Sequence, residues 1–212
     1  MMMEVHSIFK SVSGEVGYFP QGSWVVFLRL AGCNLACAYC DTKITQDPES
    51  GFKVSVEDVA KRLEGFPRVV ITGGEPMIQE EEVLELVRLL PDTEFQIETN
   101  GTFMPHKAIR SEGRVHWVVD YKCFGSEMTS AMPPYPDALY RFPKGSWLKF
   151  VITDRNDYIQ AGTLVSKCTD EYQYAFSACP PLSHNTLFQW MMADGSSALF
   201  NVQIHKLARL NE

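Results

Sequence analysis

The stretch Trp24-Val25-Val26-Phe27-Leu28-Arg29-Leu30-Ala31-Gly32-Cys33-Asn34-Leu35-Ala36-Cys37-Ala38-Tyr39-Cys40-Asp41-Thr42 joins two kinds of sequence. Its first seven residues form a compact apolar run that reads as a buried strand. The rest is a short loop with cysteines at C-x3-C-x2-C. Three thiols on one loop suit three corners of a four-iron cluster, since such clusters are held by cysteine thiolates. No fourth cysteine stands nearby, so one iron is left open to an exchangeable ligand. That open iron separates a catalytic cluster from an electron carrier.

Plainer explanations fit less well. A disulfide framework belongs to short secreted chains with a leader, whereas this chain has 212 residues and starts Met1-Met2-Met3-Glu4-Val5-His6. Structural zinc takes four Cys or His ligands in a closed site. Cys123, Cys168 and Cys179 are distant in sequence, as are the five histidines, so zinc needs the fold to deliver a fourth ligand. Free cysteines without a leader predict a cytoplasmic protein.

At 24.0 kDa the chain is expected to be one domain, residues 1–212, long enough to bury a full core. A formal charge of −7 argues against nucleic acid, whose phosphates demand a basic face. No apolar run approaches the roughly 20 residues needed to cross a membrane.

Outward from the cysteine loop, strands alternate with helices. Ser55 reads as an N-cap with Asp58 at the third helical position, opening a helix through Leu63 that stops near Gly65 and Pro67. A strand over 68–72 meets Gly73-Gly74. A helix from about Gln79 to Leu90 places Val83, Leu86, Val87 and Leu90 on one face. Further strands are predicted at 94–99, 116–121, 147–152 and 172–176, with weaker helices around 105–112, 156–167 and 184–192. A last apolar run, Ala198–Ile204, is expected to close the sheet as a strand reaching about residue 205 and walling a pocket. The alternation predicts an α/β fold of parallel βα units, a partial, incomplete TIM-like barrel. Cys33, Gly73-Gly74-Glu75, Asn100 and Lys122 each follow a strand, the end where parallel α/β folds bind ligands.

The cysteine spacing, Tyr39 within it and Gly73-Gly74-Glu75-Pro76 downstream together resemble the radical S-adenosylmethionine enzymes. The resemblance implies that the open iron chelates S-adenosylmethionine, and that reduction yields methionine and a 5′-deoxyadenosyl radical. Tyr39 is then expected near the adenine. Gly73 and Gly74 let backbone approach the methionyl ammonium, Glu75 orients that cation, and Asn100 and Lys122 complete the cofactor side.

A narrower resemblance is to the 7-carboxy-7-deazaguanine synthase family. It rests on Phe9–Glu15, Phe27–Leu35, Cys40-Asp41-Thr42, Thr72–Pro76, Glu98–Thr102, Asp120–Cys123 and Gln203–Lys206, in order along nearly the whole chain. It implies a homodimeric partial barrel that converts 6-carboxy-5,6,7,8-tetrahydropterin to 7-carboxy-7-deazaguanine by radical ring contraction with loss of ammonia. It also implies Mg²⁺ and a flavodoxin- or ferredoxin-type reductant, in the route to queuosine and other 7-deazapurines.

By position, Glu15 is expected on the pterin's amino-pyrimidine edge, accepting two parallel N–H groups. Arg29 is expected on the substrate carboxylate, where a planar guanidinium gives a two-pronged contact. Ser13, Thr72 and His205 complete the pocket, and Thr42 offers a hydroxyl to Mg²⁺, a hard, oxygen-seeking ion. No side chain is assigned as catalytic beyond the cofactor-derived radical. Ser13 and Val16 stand where the family usually has glutamine and glycine, and Phe124 where it often has proline. Taken singly, Glu15 reads as a solvated acid, His205 as a strand histidine and Thr42 as a loop cap. Arg29 reads singly as a strand-end surface charge, but it is the least ordinary of these, because a charge inside an apolar strand needs a partner if buried. Two rival functions remain: an activator of a glycyl-radical enzyme, with the same cluster but a protein substrate, and a non-catalytic iron–sulfur or zinc module.

Overall fold

The computed structural model describes residues 1–134, 137–167, 171–208 and 210; Cys168 lies outside them. The strands are β1 (Met2–Val12), β2 (Trp24–Leu30), β3 (Phe52–Ser55), β4 (Arg68–Gly73), β5 (Glu94–Thr99), β6 (Val115–Tyr121), β7 (Trp147–Ile152), β8 (Gln173–Ala178) and β9 (Leu199–Asn201). They form one open sheet in the order β3-β1-β2-β4-β5-β6-β7-β8-β9. From β2 to β9 every pairing is parallel, while β1 runs antiparallel to both β2 and β3. This is the partial barrel expected from the sequence.

Helices α1 (Val56–Leu63), α2 (Glu80–Leu89), α3 (Lys107–Arg110), α4 (Asp137–Tyr140), α5 (Arg155–Val165), α6 (His184–Ala193) and α7 (Ile204–Leu207) complete the chain. Ser55 caps α1 as its sequence suggests, its hydroxyl accepting from Asp58 N at 3.1 Å.

Side chains alternate along each strand, and the two faces do different jobs. On β2, Val26, Leu28 and Leu30 join the main core with Val59, Leu63, Leu86 and Val87 from α1 and α2. The other face carries Val25, Phe27 and Arg29. Val25 and Val70 pack with Phe19 in a small second core, with Phe27 against it. Phe19 belongs to the β1–β2 loop, which lies beneath the concave face of the sheet. Its amide donates to Gln96 Oε1 at 3.4 Å, and Val16 N donates to Asn201 Oδ1 at 3.0 Å. Gly17 has no room for a side chain, because a Cβ there would lie 2.2 Å from Gln96 Oε1. The loop therefore floors the barrel, and the cavity opens above it.

The C-terminal strand is shorter than the sequence predicted. β9 ends at Asn201, and Ile204–Leu207 is a helical turn. The expectation of a strand reaching about residue 205 is thus corrected. The turn replaces the strand because it is fastened to the floor loop, Ile204 N donating to Gly14 O at 3.0 Å and Gln21 Nε2 to Val202 O. Among the described residues no helix is long and apolar enough to cross a membrane.

Candidate active site

The cysteine loop leaves β2 through Gly32, whose φ of +91° favours glycine. Its backbone is strapped down by Gly32 N to Thr45 O (2.8 Å), Cys33 N to Gln46 O (3.1 Å) and Ala38 N to Ser126 O (3.0 Å). Cys33, Cys37 and Cys40 are free thiols, and all three face one cavity of about 680 Å³ at the carboxyl ends of the strands. Tyr39, Thr42, Gly73, Gly74, Asn100 and Lys122 line the same cavity, as do Ser13, Glu15, Arg29, Thr72 and His205. A volume in this range suits a small-molecule pocket.

Gly73 and Gly74 have a structural reason beyond ligand approach. Gly73 has φ +134°, and a Cβ on it would lie 2.1 Å from Leu30 O; one on Gly74 would lie 2.0 Å from Gly32 O. The β2 and β4 exits touch backbone to backbone, which holds the cysteine loop beside the Gly-Gly turn.

Glu75 is placed differently from the other residues expected on the cofactor side. It is fully buried behind the cavity wall rather than lining it. One carboxylate oxygen accepts from Thr99 Oγ1 (2.7 Å) and Met77 N (2.9 Å), the other from Asn100 N (2.7 Å). Burial pushes its pKa up against those hydrogen bonds. Glu75 therefore locks the β4 exit to the β5 exit and sets Asn100. Asn100 Nδ2 in turn donates to Asn34 Oδ1 of the cysteine loop at 2.9 Å.

The substrate-side residues converge from four segments: the β1–β2 loop, β2, β4 and α7. Arg29 and Thr72 are register partners on β2 and β4. Arg29 Nη1 donates to Thr42 Oγ1 at 3.0 Å, and its guanidinium lies 5.4 Å from the Phe9 ring, itself stacked on Phe27. Ser13 Oγ donates to Phe19 O at 3.3 Å within the floor. The His205 ring rests on Gly14, where a Cβ would lie 1.9 Å from Nδ1. Lys206 pairs with Asp41, tying α7 to the cysteine loop.

Sequence reading missed Lys149, buried on β7, whose Nζ lies 2.7 Å from Glu15 Oε2 and 3.4 Å from Asp120 Oδ2. The signal was present: a lysine inside the apolar run Trp147–Ile152 needs a partner, as Arg29 does within β2. Burial alone would raise the Glu15 pKa, but the charge and hydrogen bond of Lys149 outweigh it and hold the carboxyl below its ordinary range. Glu98 responds oppositely, pushed up by burial and by Glu15 despite Lys149.

The site fits an iron–sulfur cluster with a bound organic cofactor. Thiols are the ligands such a cluster uses, and these three stand on one strapped loop. Among the described residues, Tyr39 Oη and Asp120 Oδ1, buried in the cavity wall, have no hydrogen-bond partner. Unsatisfied buried groups of this kind call for a bound partner.

A parallel sheet with three cysteines at the exit of its first parallel strand defines the radical SAM class, and residues 28–115 match the Radical SAM superfamily. Across nearly its whole length the chain is 31% identical to 7-carboxy-7-deazaguanine synthase of Methanospirillum hungatei (98% of this chain, 86% of the relative). It is 32% identical to the synthase of Hyperthermus butylicus (78% and 72%). The crystal structure of QueE from Escherichia coli superposes with a TM-score of 0.74 at 25% identity, covering 96% of this chain and 94% of that one. The structure of native anSMEcpe with bound AdoMet is more distant, at TM-score 0.51 and 16% identity over 80% and 61% of the two chains. The chain belongs to the 7-carboxy-7-deazaguanine synthase family. Its cofactors are accordingly a [4Fe–4S] cluster and S-adenosylmethionine.

Proposed function

We propose that this chain converts 6-carboxy-5,6,7,8-tetrahydropterin to 7-carboxy-7-deazaguanine, with its own residues dividing into a cofactor side and a substrate side. The single observation that carries the reading is the shared cavity: the three thiols face the same space as a guanidinium, Arg29, and a carboxylate, Glu15. A carboxylated amino-pterin offers the complement to both. When bound, the cluster and S-adenosylmethionine supply the 5′-deoxyadenosyl radical that abstracts hydrogen from the substrate.

Cys33, Cys37 and Cys40 hold three irons. Tyr39, Gly73, Gly74, Asn100 and Lys122 bound the S-adenosylmethionine volume, and Glu75 contributes by fixing Asn100. Arg29 binds the substrate carboxylate, Glu15 the amino-pyrimidine edge, and Ser13, Thr72 and His205 shape the remaining wall. Membership of this family sets aside the glycyl-radical activator and the non-catalytic module. The chain works as a cytoplasmic homodimer fed by a flavodoxin- or ferredoxin-type reductant, in the pathway to queuosine and related 7-deazapurines. The free thiols at the site support a reducing compartment.

Thr42 is assigned to Mg²⁺. Its hydroxyl accepts from Arg29 and donates to Asp41 Oδ1 at 3.1 Å, which leaves one lone pair for a hard cation. Thr42→Val should lower turnover, and added Mg²⁺ should restore less of it than in wild type. An unchanged Mg²⁺ titration would make Thr42 a loop cap.

His205→Ala should weaken carboxypterin binding by about 1–3 kcal/mol, the usual cost of stranding a buried polar partner. Anaerobic titration measures this, and unchanged affinity would reduce His205 to a packing residue on Gly14. The whole reading is tested by reconstituting the cluster anaerobically and adding reductant, S-adenosylmethionine and carboxytetrahydropterin. Both 5′-deoxyadenosine and the deazapurine are expected. Formation of 5′-deoxyadenosine alone would overturn the substrate assignment.

A further inference from the structure

The charged groups on the cavity wall form one chain. Lys122 Nζ lies 3.1 Å from Asp120 Oδ2, the oxygen that Lys149 also approaches, and Lys149 continues to Glu15. Lys149 is only 8% exposed, so its ammonium depends on these acceptors. Asp120 and Lys149 are register partners on β6 and β7, which makes their approach a property of the sheet rather than of a flexible loop.

The lone pairs of Glu15 are almost fully assigned. Oε2 accepts from Lys149 Nζ and from Asn201 Nδ2 at 3.2 Å, and that amide is itself fixed to Ser177 Oγ at 2.7 Å. Among the described residues Oε1 accepts only from Gln203 Nε2. Each carboxylate oxygen offers about two acceptor positions. Oε2 is therefore filled and Oε1 has one position left. The expected contact to two parallel N–H groups of a pterin is not available with these partners in place. One N–H can reach Oε1, and a second can follow only if Gln203 gives way.

We propose that Lys149 is a positioning residue that acts through Glu15: with Asn201 it occupies Oε2, keeps the group a carboxylate and presents Oε1 to the N–H edge of the pterin. This deepens the reading given above and rests on it. The groups that face Glu15 and Lys149 are Glu98 from β5, Asp120 and Lys122 from the end of β6 and His205 from α7. Without Lys149, burial and the negative charge of Glu98 act on Glu15 unopposed by its nearest cation. Its folded-state pKa then rises, and the accepting carboxylate exists only above that higher value. Substrate binding by such a variant should therefore recover as pH increases.

The test uses reconstituted holoenzyme with Lys149→Met, Glu15→Gln and the double variant. Lys149→Met should raise the KM for carboxytetrahydropterin about tenfold or more, in keeping with loss of a charge-assisted contact. The acid limb of its kcat/KM profile should move to higher pH. In the Glu15→Gln background, Lys149→Met should add less than about threefold, because residues that act through one another are non-additive. Iron content and thermal unfolding report folding. If Lys149→Met takes up no iron, Lys149→Gln, which keeps an N–H donor without charge, carries the same measurements. A wild-type KM and pH profile in an iron-replete Lys149 variant overturns the proposal, as do multiplicative effects in the double variant. Absence of deazapurine from the wild-type enzyme overturns the underlying function instead, so the two failures are distinct.

Discussion

Cys33→Ala, Cys37→Ala and Cys40→Ala are each expected to abolish the four-iron cluster, and with it all 5′-deoxyadenosine formation. Cys123→Ala and Cys179→Ala are expected to keep wild-type iron. The contrast is sharp because Cys179 is itself a free thiol on the same cavity wall. It follows β8, whereas the three ligands share the strapped loop after β2. Cys123 is fully buried in the main core, where burial pushes its thiol up and keeps it protonated. Iron and sulfide counts on anaerobically reconstituted protein measure the outcome. An intact count in any of the first three variants would remove the cluster assignment. Loss of iron in Cys179→Ala would instead move part of the ligand set to the β8 exit.

Strands β2 and β4 to β8 were legible because a strand walling a barrel has a period-two signature that survives burial on both faces. Val26, Leu28 and Leu30 face helices while Val25, Phe27 and Arg29 face inward, so an apolar run with one charge marks both the strand and its site face. β1 and β3 were not legible. Met2–Val12 mixes Glu4, His6, Ser7 and Lys10 with apolar residues, and its conformation depends on antiparallel pairing with β2 across a register shift. The C-terminal turn was misread for a related reason. Val202–Ile204 is apolar enough for a strand, and the distant hydrogen bonds from Ile204 N to Gly14 O and from Gln21 Nε2 to Val202 O end it. Glu75 shows the limit most clearly. Its position beside Gly73-Gly74 marks the site, but whether it meets a ligand or braces one depends on Thr99 and Asn100, more than twenty residues away.

Arg29→Lys is expected to leave the cluster in place and 5′-deoxyadenosine detectable while carboxypterin turnover is lost. Among the described residues the side chain meets Thr42 Oγ1 at 3.0 Å and the Phe9 ring at 5.4 Å, and Thr72 is its register partner on β4. A flat guanidinium satisfies a hydroxyl and lies along a ring while presenting a fork to a carboxylate. A lysine ammonium, a point charge on a flexible stem, cannot do all three. Two charge-assisted hydrogen bonds at about 1.5 kcal/mol each amount to about 3 kcal/mol, a fall of roughly hundredfold in kcat/KM. Lost contact with Thr42 adds a second consequence, since the hydroxyl assigned to Mg²⁺ loses its donor and the Mg²⁺ response should shift as well. Measuring 5′-deoxyadenosine and deazapurine in the same anaerobic reaction separates the cofactor from the substrate side. Wild-type turnover in this variant would detach Arg29 from the substrate carboxylate and leave the cavity without its principal anion contact.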